Sequence, residues 1–158
     1  MTEIAVKSAD ELRWEVPANL SANRIASLDD VWQYISDIDF TKLKERLTQG
    51  PEVLGSSWSQ DRADYCELLY KRWFYLRRKH EGEILPPHID VDQFWHSHIL
   101  DTYAYFEHCD HIFGYYFHHF PYFGTRGAAD RTNLNTAWQR TQQRYLDEFG
   151  EYIYDFVE

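Results

Sequence analysis

Seven of the eight histidines in this chain fall between His88 and Phe123, together with twelve of its 28 aromatic residues, one of its two cysteines and five carboxylates. Imidazoles and carboxylates at that density can hold a metal ion, carry out acid/base chemistry, or form a hydrogen-bonded polar core. Spacing sorts these options. Asp92 and His96 stand one helical turn apart, so their side chains share a face. Such a pair supplies two metal ligands, or a carboxylate that orients a basic imidazole. His98 with Asp101, and Asp101 with Tyr105, are further pairs of this kind. His108 and His111 also pair, on a face expected to be solvated.

Residues 89–113 read as one continuous helix. At about 100° per residue, Val91, Trp95, His98, Thr102, Tyr105, Cys109 and Phe113 share the core-facing side. His96 lies about 160° away, beside Tyr103 and Glu107. Positions i and i+2 oppose each other on a helix, so His96 and His98 do not join one ion. His98 and Cys109 would be about 16 Å apart along the axis, too far for ligands about 2.0–2.3 Å from a zinc ion. Cys109 faces the core and reads as a structural thiol. An extended segment of about 3.3 Å per residue brings His119 back to the level of Asp101 and Thr102 if the chain reverses at Phe113-Gly114, where glycine permits positive φ. The expected metal ligands are therefore His98, Asp101 and His119. His96, paired with Asp92, is the expected acid/base group or alternative ligand, and Tyr105 a further catalytic candidate.

The string Val91-Asp92-x-x-Trp95-His96-x-His98-Ile99-Leu100-Asp101-Thr102-x-x-Tyr105, followed by Cys109, Phe113-Gly114 and His118-His119-Phe120-Pro121-Tyr122-Phe123-Gly124, resembles the glycine-rich domain-containing protein-like family, a domain of unknown function. The resemblance implies that Asp92, His96, His98, Asp101, Tyr105, Cys109, His118 and His119 belong to one signature, and it brings no established reaction with it. Two departures stand out. Position 108 carries His where the pattern has an acidic residue, and a glycine-rich tail is absent, with seven glycines in all.

The elements that must position these residues read as helices. Ser8-Ala-Asp-Glu11 has the spacing of a capping box, and Ser27 can cap a helix with Leu28, Val31, Trp32 and Ile35 on one face. A short amphipathic piece carries Phe40, Leu43 and Leu47 before Gly50-Pro51 ends it. A long helix runs from Ser57 to about His80, with Cys66, Leu69, Trp73 and Leu76 as its buried stripe. Pro87 suits the first turn of the next helix. A last helix begins near Asn133 and reaches Gly150. The expected fold is all-α, one compact domain of four to six helices over 1–158. Residues 1–26 are weakly patterned, 88–124 form the motif core, and an irregular aromatic segment lies near 115–124.

Composition narrows the partners. At 158 residues the chain can bury a sizeable core. A net charge of −10 repels phosphate backbones, so nucleic acid is not an expected partner. The cluster Lys71, Arg72, Arg77, Arg78 and Lys79 reads as cations complementing a helix C-terminus. No apolar run suits a secretory signal or a membrane span, and two cysteines without a framework suggest reduced thiols and a cytoplasmic address. Two functional classes remain. One is a metal-binding protein with zinc or non-haem iron, acting as an enzyme on a small molecule or peptide. The other is a non-catalytic interaction or adaptor domain whose His/Asp network is structural and whose acidic surface recognises a basic protein.

Overall fold

The computed structural model describes residues 3–158. A 3-10 turn at Ala9–Glu11 precedes α1 (Leu28–Asp37) and α2 (Thr41–Thr48). A second 3-10 turn at Pro51–Val53 leads to α3 (Gln60–Lys79), α4 (Ile89–Leu100), α5 (Thr102–Ile112) and α6 (Ala128–Phe149). The fold is all-α, as expected, and no strand occurs among the described residues. One isolated antiparallel bridge between Arg13 and Glu83 ties the N-terminal segment to the loop after α3. None of these helices is long and apolar enough to cross a membrane.

The helix ends have local causes. Ser27 Oγ accepts the Asp30 N–H at 3.1 Å and Ser59 Oγ that of Arg62 at 3.2 Å, satisfying free donors where α1 and α3 begin. The Ser8 N–H donates to Glu11 Oε1 at 3.0 Å, as in the expected capping box. Gly150, at φ +77°, ends α6. Three boundaries differ from expectation, the first being α3, which begins at Gln60 behind Ser59 rather than at Ser57. Pro87 stays outside α4, and His88 caps it instead, its Nδ1 accepting the Asp90 N–H at 3.1 Å. Helix α6 begins at Ala128 rather than near Asn133, because its polar first turn carries no apolar period and is set by Asp130, described below.

Helix α3 is the hub, packing against α1, α2, α4 and α6. It buries the expected stripe of Cys66, Leu69, Trp73 and Leu76, and also Tyr70 and Phe74. The basic cluster near its end is drawn into the protein and does more than complement the dipole. Lys71 Nζ donates to Ser36 O and Ile38 O, Arg72 Nη1 to Tyr145 Oη, and Arg78 to Ile25 O and Ile112 O. Arg77 and Arg78 are both buried.

The continuous helix expected over 89–113 is broken. Asp101 sits at φ −81°, ψ 73°, outside the helical region, and it both ends α4 and starts α5. Helix α5 folds back on α4. Trp95 Nε1 donates to Tyr105 Oη at 2.9 Å, and His98 Nε2 lies 2.8 Å from His108 Nδ1. Ten residues of straight helix would hold either pair about 15 Å apart. The corner leaves Thr102 exposed, whereas Val91, Trp95, His98, Tyr105, Cys109 and Phe113 are buried as the helical wheel required.

Candidate metal centre

Three side chains from two segments converge at the edge of α4. His119 Nε2 lies 2.8 Å from Asp92 Oδ1, His96 Nε2 lies 3.2 Å from Asp92 Oδ2, and the two Nε2 atoms are 2.9 Å apart. This is the one cluster of His, Cys, Asp or Glu among the described residues whose ligand atoms gather closely enough to share an ion. Helical spacing explains the first two members, since Asp92 and His96 are one turn apart on the outer face of α4. His119 arrives from the irregular segment after α5. Its ring packs on that of Trp95, with centroids 4.3 Å apart, which holds the imidazole against the carboxylate. His96 is exposed and Asp92 half-buried, so the cluster opens outward.

Proton counting shows why this arrangement is unusual. Each neutral imidazole carries one N–H, and an ionised carboxylate carries none. If both Nε2 atoms are protonated they both bond Asp92, but then face each other as two donors. If only one is protonated, the other nitrogen presents a lone pair to a carboxylate oxygen. A cation accepting a lone pair from all three atoms removes the conflict. The two imidazoles meet different oxygens of the Asp92 carboxylate, His119 at Oδ1 and His96 at Oδ2.

The other sequence candidates lie elsewhere. His98 does not meet His119. It is buried, with Nδ1 2.7 Å from Tyr70 Oη and Nε2 2.8 Å from His108 Nδ1. Burial, with a smaller effect from His108, pushes its pKa down to about 3. Asp101 is exposed at the α4–α5 corner. The expected set of His98, Asp101 and His119 is therefore not assembled, because His98 lies on the buried face of α4 while His119 meets Asp92 in its first turn. Tyr105 is wholly buried, accepting from Trp95 Nε1 and donating to Phe117 O, and burial first of all drives its pKa far above the ordinary value. It works as a core bracket between α4 and the returning segment. Cys66 and Cys109 are free and buried, and burial raises the thiol of Cys109 to about 11. His108, expected to face solvent, turns in to His98, and His111 stacks on Tyr34 at 5.3 Å.

Two features bring His119 back. Gly114 takes φ +79°, the reversal expected at Phe113-Gly114. Farther on, the fully buried Asp130 accepts the N–H groups of Gly124 at 2.8 Å and Arg126 at 3.1 Å, pinning the turn that follows Pro121. Asp130 escaped the sequence reading, although an acid in the first turn of a helix after a glycine-rich bend is a recognisable anchor.

Asp92 and His119 also line a cavity of about 1080 Å³. Its wall includes Trp14, Trp73, Arg77, Trp95 and Phe117. A pocket of this size with a mostly apolar wall and a few polar groups is typical of small-molecule sites. Comparison with protein-family models, curated proteins and solved structures finds no match for this chain.

Proposed function

We propose that this protein binds a divalent metal ion through Asp92, His96 and His119 and uses it on a small molecule held in the adjoining cavity. The convergence of three ligand atoms, which two neutral imidazoles and an ionised carboxylate cannot all satisfy by hydrogen bonding, carries this reading. A set of two histidines and one carboxylate leaves coordination positions for water and substrate, which suits non-haem iron oxidation or zinc-assisted hydrolysis. The bound metal would supply a Lewis acid or redox centre. Asp92 and the two imidazoles would orient it, and Trp95 would keep the His119 ring in place. The resemblance of the motif to the glycine-rich domain-containing protein-like family is consistent with these residues acting as a unit.

Elemental analysis of protein purified without a histidine tag tests the reading. About one iron or zinc per chain is expected, and it should vanish in a His96→Ala/His119→Ala double variant. Metal that is absent from the native protein and is not taken up on reconstitution would reject the proposal.

A second reading, a non-catalytic helical interaction domain, is favoured by the buried network of Tyr70, His98 and His108. That network is the structural use of histidine such a domain requires. With a net charge of −10 its partner would be a basic protein bound in a salt-sensitive manner.

A further inference from the structure

The floor of the cavity holds a cation without a counter-ion. Arg77 is 9% exposed. Its Nη1 donates to Glu83 O at 2.9 Å, and among the described residues it makes no other hydrogen bond. Its Nε is buried and unpartnered. No Asp or Glu oxygen among the described residues comes within 4.0 Å of its nitrogens. The Glu83 carboxylate nearby is committed to Arg140 and Arg144. A buried guanidinium in this state costs stability until an anion pairs with it. The same cavity wall carries Trp14, whose indole Nε1 is also buried without a partner. Both groups surround one ring: the Arg77 guanidinium carbon lies 5.1 Å from the Phe117 centroid, and the Trp14 ring lies 6.2 Å from it.

We propose that this floor seats the carboxylate of a small apolar acid. Arg77 Nη2, which is neither used within the protein nor sealed by burial, donates a charge-assisted hydrogen bond to that carboxylate. The Trp14 N–H on the same wall is the further donor that the carboxylate would draw on. One unpaired positive charge matches one carboxylate, whereas a phosphate dianion would bring excess charge and more oxygens than these donors serve. Of the other cations at the wall, Arg126 is already paired with Asp130 and Lys7 is exposed to solvent. From the seat the wall continues as aromatic surface toward the triad. Phe117 stacks on Trp95 at 5.3 Å, and Trp95 packs on His119 at 4.3 Å. An acid anchored at Arg77 would thus lay its apolar body over Phe117 and Trp95 and present its far end to the metal. That last step rests on the metal reading above; the anion seat does not.

The test uses the full, untagged chain treated with EDTA, titrated by calorimetry with 3-phenylpropionate and octanoate and with the neutral alcohols of the same skeletons. Each acid is expected to bind at least about tenfold more tightly than its alcohol. Arg77→Met should abolish the preference, and Trp14→Phe should weaken the acids several-fold while leaving the alcohols alone. Should Arg77→Met fail to fold, the native preference and Trp14→Phe decide the matter. Acids that bind no better than alcohols, or acid binding unchanged in the variants, would overturn the proposal. Acid preference in a chain that takes up no metal would retain the seat and reject the triad reading. Metal uptake without acid preference would do the reverse.

Discussion

His96 and His119, 23 residues apart in sequence, place their Nε2 atoms 2.9 Å from each other over the carboxylate of Asp92. Neither residue is part of the core, so removing either ring should change metal affinity far more than stability. His119→Ala is expected to weaken zinc binding at least about tenfold, with a thermal midpoint within a few degrees of the native chain. Competition with a chelating dye reads the first quantity and calorimetry the second. Undiminished affinity would place the metal elsewhere.

His98 should behave in the opposite way. Its ring bridges Tyr70 and His108 inside the protein. His98→Ala leaves a cavity and strands two polar partners, at a cost of about 2–4 kcal/mol. Urea unfolding should register that loss while metal stoichiometry stays unchanged. Loss of metal without loss of stability would return His98 to the ligand set.

Acid should destabilise this fold before its carboxylates titrate. Burial first of all holds His80, His98 and His108 below the ordinary histidine value, His98 at about 3. Between the unfolded and folded pKa values the unfolded chain binds protons that the folded chain refuses, so stability rises with pH there. The contribution is complete above about pH 6.5 and is lost progressively as the pH falls. Burial pushes the Glu81 carboxyl up, but its bonds to Arg24 and Tyr115 outweigh this and leave it low, adding a second loss at more acid pH. Thermal midpoints should fall between pH 7 and pH 5, and fall less steeply in His98→Gln. A flat profile over that range would contradict the burial of these rings.

Gly114→Ala tests how the returning segment is aimed. The residue sits at φ +79°, and an added Cβ would come 2.8 Å from the Arg24 Cβ. Strain and clash together should cost about 1–3 kcal/mol. Because His119 hangs from the same segment, metal affinity should fall in the same variant. Destabilisation with full metal affinity would show that Asp130 alone positions the loop.

Much of the fold was legible from local rules. Ser27 marks the start of α1, three- and four-residue spacing marks the buried stripe on α3, and Gly114 marks the reversal. The pairing of Asp92 with His96 and the burial of His98 followed from helical periodicity alone. The break at Asp101 did not, because no Pro or Gly marks it. The corner is stabilised by contacts ten residues apart, Trp95 with Tyr105 and His98 with His108, which periodicity along one helix does not contain. By position along the chain Arg77 belongs with the end-of-helix cations. Its place four residues after Trp73, on the buried stripe, was the available sign that it points inward.

Side-chain type and spacing along the chain determined which groups of this protein can do chemistry, and which faces of its helices are wet or dry. They act over one or two helical turns, the reach of a single side chain. Which histidine joins Asp92 and His96 was decided only when α5 folded back and Asp130 pinned the loop beyond it. Those choices depend on packing between segments distant in sequence, where the burial of whole aromatic faces outweighs any local preference of the backbone.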